Sequence, residues 1–429
     1  MTGSLKRSMG QWDLIALTVN AVIASAIYVI PGTIAGLVGP WSPYVHVACV
    51  LVTLTFVLSF AEVSSRFETA GGPYLYAHEA FGPFVGFEIG WIAYLTRLAA
   101  VAANYNLFII YLGYFFPNVA TGGIKAGILF AVILFLTIIN IRGVKYGAWT
   151  VDLITIVKLA PLLVLIVAGF FFIEPKNLSV GTLPPLESVV RSIFLLSFAY
   201  GGFEIVTIPS AESVNPRKHV PKALVSALFI ALGFYFCIQL VGVGVLPSFS
   251  GAERPIAALA SSMFGTYGGG LVAFGALVST FGYFSGSILS VPRLTFALGE
   301  KHQLPKVFCA VHPKYSTPYV SIVVYSTLAF LLAIFSNFIT LAAISVVSRL
   351  IYYITTCGAA LKFRRASRAP FTPALGAVIP VAGICFAVTL LFYTKLKAEE
   401  VYFPVGGIVT GTALYYLGRL KHDNPIKPE

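Results

Sequence analysis

Charged side chains are scarce in this chain, at 10% of 429 residues, where a soluble globular domain carries about 25%. That scarcity argues against a large water-soluble core and for hydrocarbon as the solvent. Cysteine is scarce too. Its five copies (Cys49, Cys237, Cys309, Cys357, Cys385) are scattered, odd in number and never spaced C-x-x-C. A disulfide framework or a zinc site has no support in that pattern, and small buried apolar residues are the better reading. The six histidines form no H-E-x-x-H cluster. There is no P-loop, no dinucleotide-binding glycine pattern, and no nucleophile–base set inside the apolar segments. No metal, no cofactor and no enzymatic chemistry are expected.

What the chain has in abundance is apolar length. Hydrophobic residues make up 58% of it. Runs of about 20 apolar residues, each enough to cross roughly 30 Å of bilayer as a helix, occur at about 12–37, 43–61, 83–115, 122–141, 147–173, 187–209, 222–247, 267–298, 317–336, 338–361, 371–393 and 400–419. The fold class expected is therefore an all-α polytopic membrane protein with twelve transmembrane helices.

The net charge of +12 is explained by where the charges fall. With both termini placed in the cytoplasm, Lys125, Lys176, Arg191, Arg254, Lys395 and Lys397 lie on the outer side. Arg97, Lys158 and Arg349 fall inside spans, and every other Lys and Arg is cytoplasmic. This roughly threefold bias is what the positive-inside rule expects. Nucleic-acid binding is disfavoured, because no basic face is interleaved with exposed aromatics. The partners expected are the lipid bilayer and a small solute.

Two spans carry interruptions. The first is "NAVIASAIYVIPG", Asn20 to Gly32. Ala24-Ser25-Ala26 has the small-x-small look of a signal-peptidase site. Apolar character runs on through Ile30, however, and Asp13 and Asn20 sit badly in a signal sequence. The second is "SFAYGGFEIVTIPSAESVNP", Ser197 to Pro216, which puts Gly201-Gly202 and Glu204 inside an apolar run. Close helix packing is one reading of the glycines. Unwinding at mid-membrane is the other, and a bilayer tolerates it only where the backbone is buried in protein or lines a cavity. These spans are the first and the sixth. Five helices apart is the spacing of an inverted repeat with its site at the repeat interface.

Four stretches resemble the amino acid–polyamine–organocation superfamily of secondary transporters, over nearly the whole chain. They are the first interruption, like the family's "IGSGIFVIPG"; "FAEVSSRFETAGGPYLYAHEAFGPFVGFEIGW", Phe60 to Trp91; "FAYGGFE" followed by "AESVNPRKHVPKA"; and "RLTFALGEKHQLPKVFCAVHPKYSTP", Arg293 to Pro318. The resemblance implies a LeuT-type five-plus-five inverted repeat with two added C-terminal helices. Residues 1–173 would hold helices 1–5, residues 174–365 helices 6–10, and residues 366–429 helices 11–12 with the tail. It implies an amino acid permease, a secondary active transporter working by alternating access in the cytoplasmic or plasma membrane. An amino acid or amine exchanger, a polyamine or organic cation permease, and a non-transporting sensor with the same fold are the alternatives.

On this reading the backbone of Ile23, Ala24, Ser25, Ala26 and Ile27 takes the substrate's carboxylate, because amides opening a half-helix carry partial positive charge. Carbonyls of Phe198, Ala199, Tyr200 and Gly201 take its amino group, and Tyr200 and Phe203 shape the pocket or lid. The family usually has glycines beside the serine, where this chain has Ala24 and Ala26, a tighter and more helix-prone pair. Lys158, in "LITIVKLAPLLVLI", is an intramembrane charge with poor reach to either interface. In proton-coupled relatives a lysine at this place occupies the position of sodium. Carried over, its neighbours are carbonyls near Asn20 and Ile23 and the Ser285 hydroxyl, with Ser279 and Thr280 less favoured. It is a candidate proton switch, a fixed structural cation being the alternative.

Arg97, Asn104, Asn106, Glu204 and Arg349 are further polar groups within spans. Glu204 matches a family glutamate, which implies that it orients the unwound segment. Structural roles are favoured for the two arginines, with substrate-carboxylate binding or pairing with Glu204 as alternatives. Glu62, Arg66 and Glu68 open a cytoplasmic stretch that is read either as a gate contact or as a solvated charge cluster.

Overall fold

A computed structural model of the chain describes residues 9–69, 71–143 and 148–420. Lys6, Arg7, Lys145, Lys421 and Lys427, placed in the cytoplasm above, lie outside the described residues. The described residues are helical, without strands. A lone β-bridge pairs Met9 with Ser213. In chain order the helices are α1 (Gln11–Val22), α2 (Ile30–Val38), α3 (Ser42–Ser64), α4 (Gly72–Phe81), α5 (Pro83–Leu112), α6 (Gly122–Ile141), α7 (Ala148–Gly169), α8 (Leu186–Ala199), α9 (Pro216–Val245), α10 (Pro255–Ser290), α11 (Pro292–Glu300), α12 (Tyr319–Phe335), α13 (Phe338–Ala366), α14 (Val378–Tyr393) and α15 (Ala398–Leu420).

Helix occupies each of the twelve apolar runs. Seven helical stretches among the described residues are long and apolar enough to cross a membrane, the longest at residues 30–64 and 255–300. The protein is a polytopic membrane protein. Proline sits in the first turn of α2, α3, α4, α9 and α11, where its missing N–H removes a donor that has no helical partner anyway. The run read as 267–298 starts earlier, at Pro255, with one non-helical residue at Gly265 (φ 67°). The short helix α4 falls between two runs, in a stretch too polar to register as apolar.

The chain forms two compact units. The first draws on residues 1–89, 161–272 and 350–396, the second on 90–160, 273–349 and 397–429. In the first, α3 packs along α9 and also meets α8 and α14, and α1 packs on α9. Its core is apolar side chains such as Leu14, Val57, Leu196, Leu224 and Ile238. Since lipid is as apolar as these residues, close packing and interhelical hydrogen bonds hold such helices together.

The second unit shows the same devices. Thr137 Oγ1 of α6 donates to Ser326 Oγ of α12 at 2.8 Å. Trp91 Nε1 of α5 donates to the Gly407 carbonyl of α15 at 2.9 Å. The Ser287 and Tyr325 hydroxyls pair at 2.6 Å, and the Tyr105 ring packs on Phe284 at 4.4 Å. Each such polar contact contributes about 0.6 kcal/mol on average in a membrane protein.

Candidate substrate site at two helix interruptions

The first apolar run is broken. α1 stops at Val22, Ile23 has φ −79° and ψ 73°, and Ala24 is extended at φ −105° and ψ −159°. A 3-10 turn, Ser25–Tyr28, follows before α2 begins at Ile30. All these φ values are negative, so alanine enters the break without backbone strain. Ala24 and Ala26 are therefore no obstacle to the break. Ser25, Ala26 and Ile27 are buried, and Ala24 is partly exposed. Ser25 and Ala26 open the 3-10 turn.

The sixth run is broken as well. α8 ends at Ala199, Tyr200 caps it, and Gly202 is left-handed at φ 97°. A 3-10 turn, Phe203–Thr207, carries the chain onward. Glycine is required at 202 for two reasons. The positive φ disfavours any side chain, and a Cβ there would lie 3.2 Å from the Ala21 carbonyl oxygen. The backbones of the two breaks thus approach each other inside one compact unit.

Tyr235 of α9 fastens them. Its hydroxyl lies 3.3 Å from the Val22 carbonyl and 3.5 Å from the Ala199 carbonyl, the last residues of α1 and α8, so its single proton is shared between the two. The Val22 carbonyl also accepts from the Ala24 amide at 2.9 Å, and the buried phenol stands between the two helix ends.

Glu204 is buried just beyond the second break. It accepts from the Tyr352 hydroxyl at 2.6 Å and the Tyr353 hydroxyl at 3.0 Å, both on α13, and from the Gly202 amide at 3.1 Å. Its carboxylate therefore ties the left-handed glycine to α13. Phe203 sits beside it in an aromatic cluster with Phe60 at 5.4 Å and Tyr353 at 5.2 Å. Tyr200 is fully buried, and its hydroxyl is bonded to His46 Nδ1 at 3.0 Å. Phe198, Ala199 and Gly201 are buried alongside.

The remaining expected residues divide between the units. Asn20 and Ile23 belong to the first, and Lys158, Ser285, Arg97, Asn104 and Arg349 to the second. Lys158 is 6% exposed. Ser285 Oγ donates to the Phe281 carbonyl at 3.0 Å, and Thr280 Oγ1 to that of Ala276 at 3.0 Å. The Arg97 carbonyl accepts from the Tyr325 hydroxyl at 3.4 Å. Asn104 Nδ2 donates to the Ala100 carbonyl at 2.8 Å. Asn106 bonds the Ala333 carbonyl at 3.1 Å and receives Lys125 Nζ at 2.7 Å, so it joins three helices.

The cytoplasmic charges Glu62, Arg66 and Glu68 are not one solvated cluster. Glu62 is fully buried and paired with Arg364, whose Nε donates to Oε1 at 2.6 Å and whose second nitrogen donates to Oε2. Arg66 lies 3.9 Å from Glu62 and donates to Ser367 Oγ and its carbonyl at 3.0 and 2.9 Å. Burial lowers the Arg66 guanidinium's pKa below its usual range, Glu62 opposing and Arg364 reinforcing. Glu68, by contrast, meets Arg217 at 3.1 Å with both side chains largely exposed.

Sequence reasoning missed Tyr235, His46, Gln239, Tyr352 and Tyr353. A polar side chain within an apolar run is itself a signal, and His46 and Gln239 carried it. The tyrosines did not stand out, because 22 occur in the chain. Among the described residues no group of three or more His, Cys, Asp or Glu is arranged to hold a metal ion.

The profile of a family described as amino acid permease matches residues 9–420. Similar curated proteins include the serine/threonine exchanger SteT of Bacillus subtilis, 28% identical over 96% of this chain and 97% of its own. The methylthioribose transporter of the same organism is 30% identical over 98% and 95%. The human large neutral amino acids transporter small subunit 2 is 27% identical over 97% and 81%.

Proposed function

The chain belongs to the amino acid permease family, and from that premise we propose a secondary active transporter that binds an amino acid between its two interrupted helices. One observation carries the reading. The ends of α1 and α8 meet in one compact unit, Gly202 against the Ala21 carbonyl and Tyr235 on the carbonyls of both helix ends. Amides of Ser25 and Ala26 face the substrate carboxylate, with Ile23, Ala24 and Ile27 flanking (the Ala24 amide donates to the Val22 carbonyl at 2.9 Å), and carbonyls from Phe198 to Gly201 face its ammonium. Binding through backbone suits a family of substrates that share a zwitterionic head and differ in side chain. No covalent step is needed.

The architecture proposed is twelve spans in a five-plus-five inverted repeat, helices 1–5 in residues 1–173 and 6–10 in 174–365, with α14 and α15 following. In its support, each compact unit combines equivalent helices of both halves. The first holds α1–α3 with α8 and α9, and the second holds α6 with α12. Both termini are cytoplasmic, and the membrane is the cytoplasmic or plasma membrane.

Transport is proton-coupled, with Lys158 as the switch. Its burial and the apolar stretch on either side are the support, since an intramembrane charge is costly unless it works. The test uses proteoliposomes with an imposed pH gradient. Wild type accumulates substrate faster with the outside acidic, and Lys158→Ala transports at a rate that no longer responds to the gradient. An unchanged pH response in Lys158→Ala removes the switch. A wild type that needs internal substrate and ignores the gradient is an exchanger instead.

A further inference from the structure

A chain of buried polar groups runs from α2 to the second helix break. It begins at the Pro31 carbonyl, in the first turn of α2, which accepts from Gln239 Nε2 at 3.1 Å. The same nitrogen donates to Ser42 Oγ at 2.8 Å. Gln239 Oε1 faces His46 Nε2 at 3.2 Å, and His46 Nδ1 faces the Tyr200 hydroxyl at 3.0 Å. The chain ends at Tyr200, the residue capping α8 at the second break. Ser42, His46, Tyr200 and Gln239 are all fully buried.

Helix geometry explains the convergence. Ser42 and His46 are four residues apart on α3, and Tyr235 and Gln239 four apart on α9, so each pair shares a face. α3 and α9 pack along each other. The Tyr235 ring lies 5.2 Å from Tyr200 and 6.1 Å from His46. The phenol that holds both helix ends is thereby packed against the chain itself.

The direction of every bond follows from the ends. A carbonyl can only accept, so the Gln239 nitrogen must face Pro31 and its oxygen must face His46. A neutral His46 therefore carries its proton on Nε2 and donates. Its Nδ1 is then the acceptor, and Tyr200 donates to it. Each group has one arrangement, and apolar packing of equal volume would fix no such orientation.

We propose that His46 and Gln239 are positioning residues for the substrate site, setting through Tyr200 the place of the carbonyls that end α8 relative to α2. This rests on the transport reading above. The residues do not touch substrate, and their effect is on how well the backbone groups of the second break are aimed. The chain acts as a unit, because Tyr200 and Gln239 each bond the same imidazole.

The test is a double-mutant cycle of Tyr200→Phe and Gln239→Met in proteoliposomes, with labelled L-serine, L-leucine and L-lysine as probes. Each single substitution raises KM on the order of tenfold, the worth of one buried hydrogen bond, with little change in maximal rate per folded molecule. The double variant is no worse than the poorer single, because either change already breaks the chain. A merely structural loss lowers the amount of folded protein, read by size-exclusion profile and Tm, and leaves KM alone. Should Gln239→Met fail to fold, Ser42→Ala, bonded at the far end, takes its place in the cycle. Unchanged KM, or factors that multiply, in a transporting protein overturns the positioning role alone. If the wild type takes up none of the three, the cycle is run with whichever amino acid of a full labelled panel it transports, and uptake of none of that panel overturns the transport reading and this role with it.

Discussion

Glu62→Ala destabilises the protein by about 3–5 kcal/mol, the cost of stripping one partner from a buried ion pair. Glu62 has no exposure, and its carboxylate takes two donors from Arg364. Without it, Arg364 keeps its charge in a site where water is scarce, and Arg66 stands nearby with the same sign. The pair joins the end of α3 to the end of α13, and the Phe371 amide adds a bond to Ser65 Oγ at 3.2 Å. Both elements loosen together when the pair is broken. The measurement is thermal unfolding in detergent. Glu68→Ala is the control from the same stretch of sequence, since its pair with Arg217 is exposed and contributes about 0–1 kcal/mol. Equal shifts in Tm for the two variants would show that the burial of Glu62 carries no energetic weight.

Gly202→Val abolishes transport, and Gly202→Ala lowers its rate at least tenfold. A side chain at a left-handed φ costs about 1–2 kcal/mol, and a β-branched one is the worst case. The added Cβ also meets the Ala21 carbonyl at 3.2 Å. That atom belongs to the end of α1, so relief means moving one break away from the other. The Gly202 amide bond to Glu204 shifts with it. Uptake normalised to folded protein is the readout. A Gly202→Val protein transporting at the wild-type rate would mean that the approach of the two backbones has no part in the work. Gly201→Ala is the comparison, as Gly201 is not among the left-handed residues.

The helices were legible because apolar length is a strong signal. Each of the twelve runs holds helix, with α4 and the start of α10 falling outside them, and the two breaks fall on small residues and a Gly-Gly pair that are visible in the sequence. What the sequence could not say was why alanine suffices at position 24. The answer is conformational: the first break uses only negative φ, while the second needs one left-handed residue and has Gly202 for it. The side chains that brace the breaks were not legible. Tyr235, His46 and Gln239 lie far apart in the chain and meet only when α3 packs on α9. Glu62 and Glu68 show the same limit. They are six positions apart in one polar stretch, yet one is buried in a pair with a residue 302 positions away and the other is half-exposed against Arg217. Nothing local to the sequence distinguishes them.

The most direct test of the account is uptake by the purified protein in proteoliposomes, empty or preloaded, from a panel of labelled amino acids, with labelled methylthioribose and putrescine beside them. Saturable, protein-dependent uptake of at least one amino acid is expected, competed by its unlabelled form and driven by an inward proton gradient. Uptake of none of the amino acids, with or without preloading or a gradient, would contradict it.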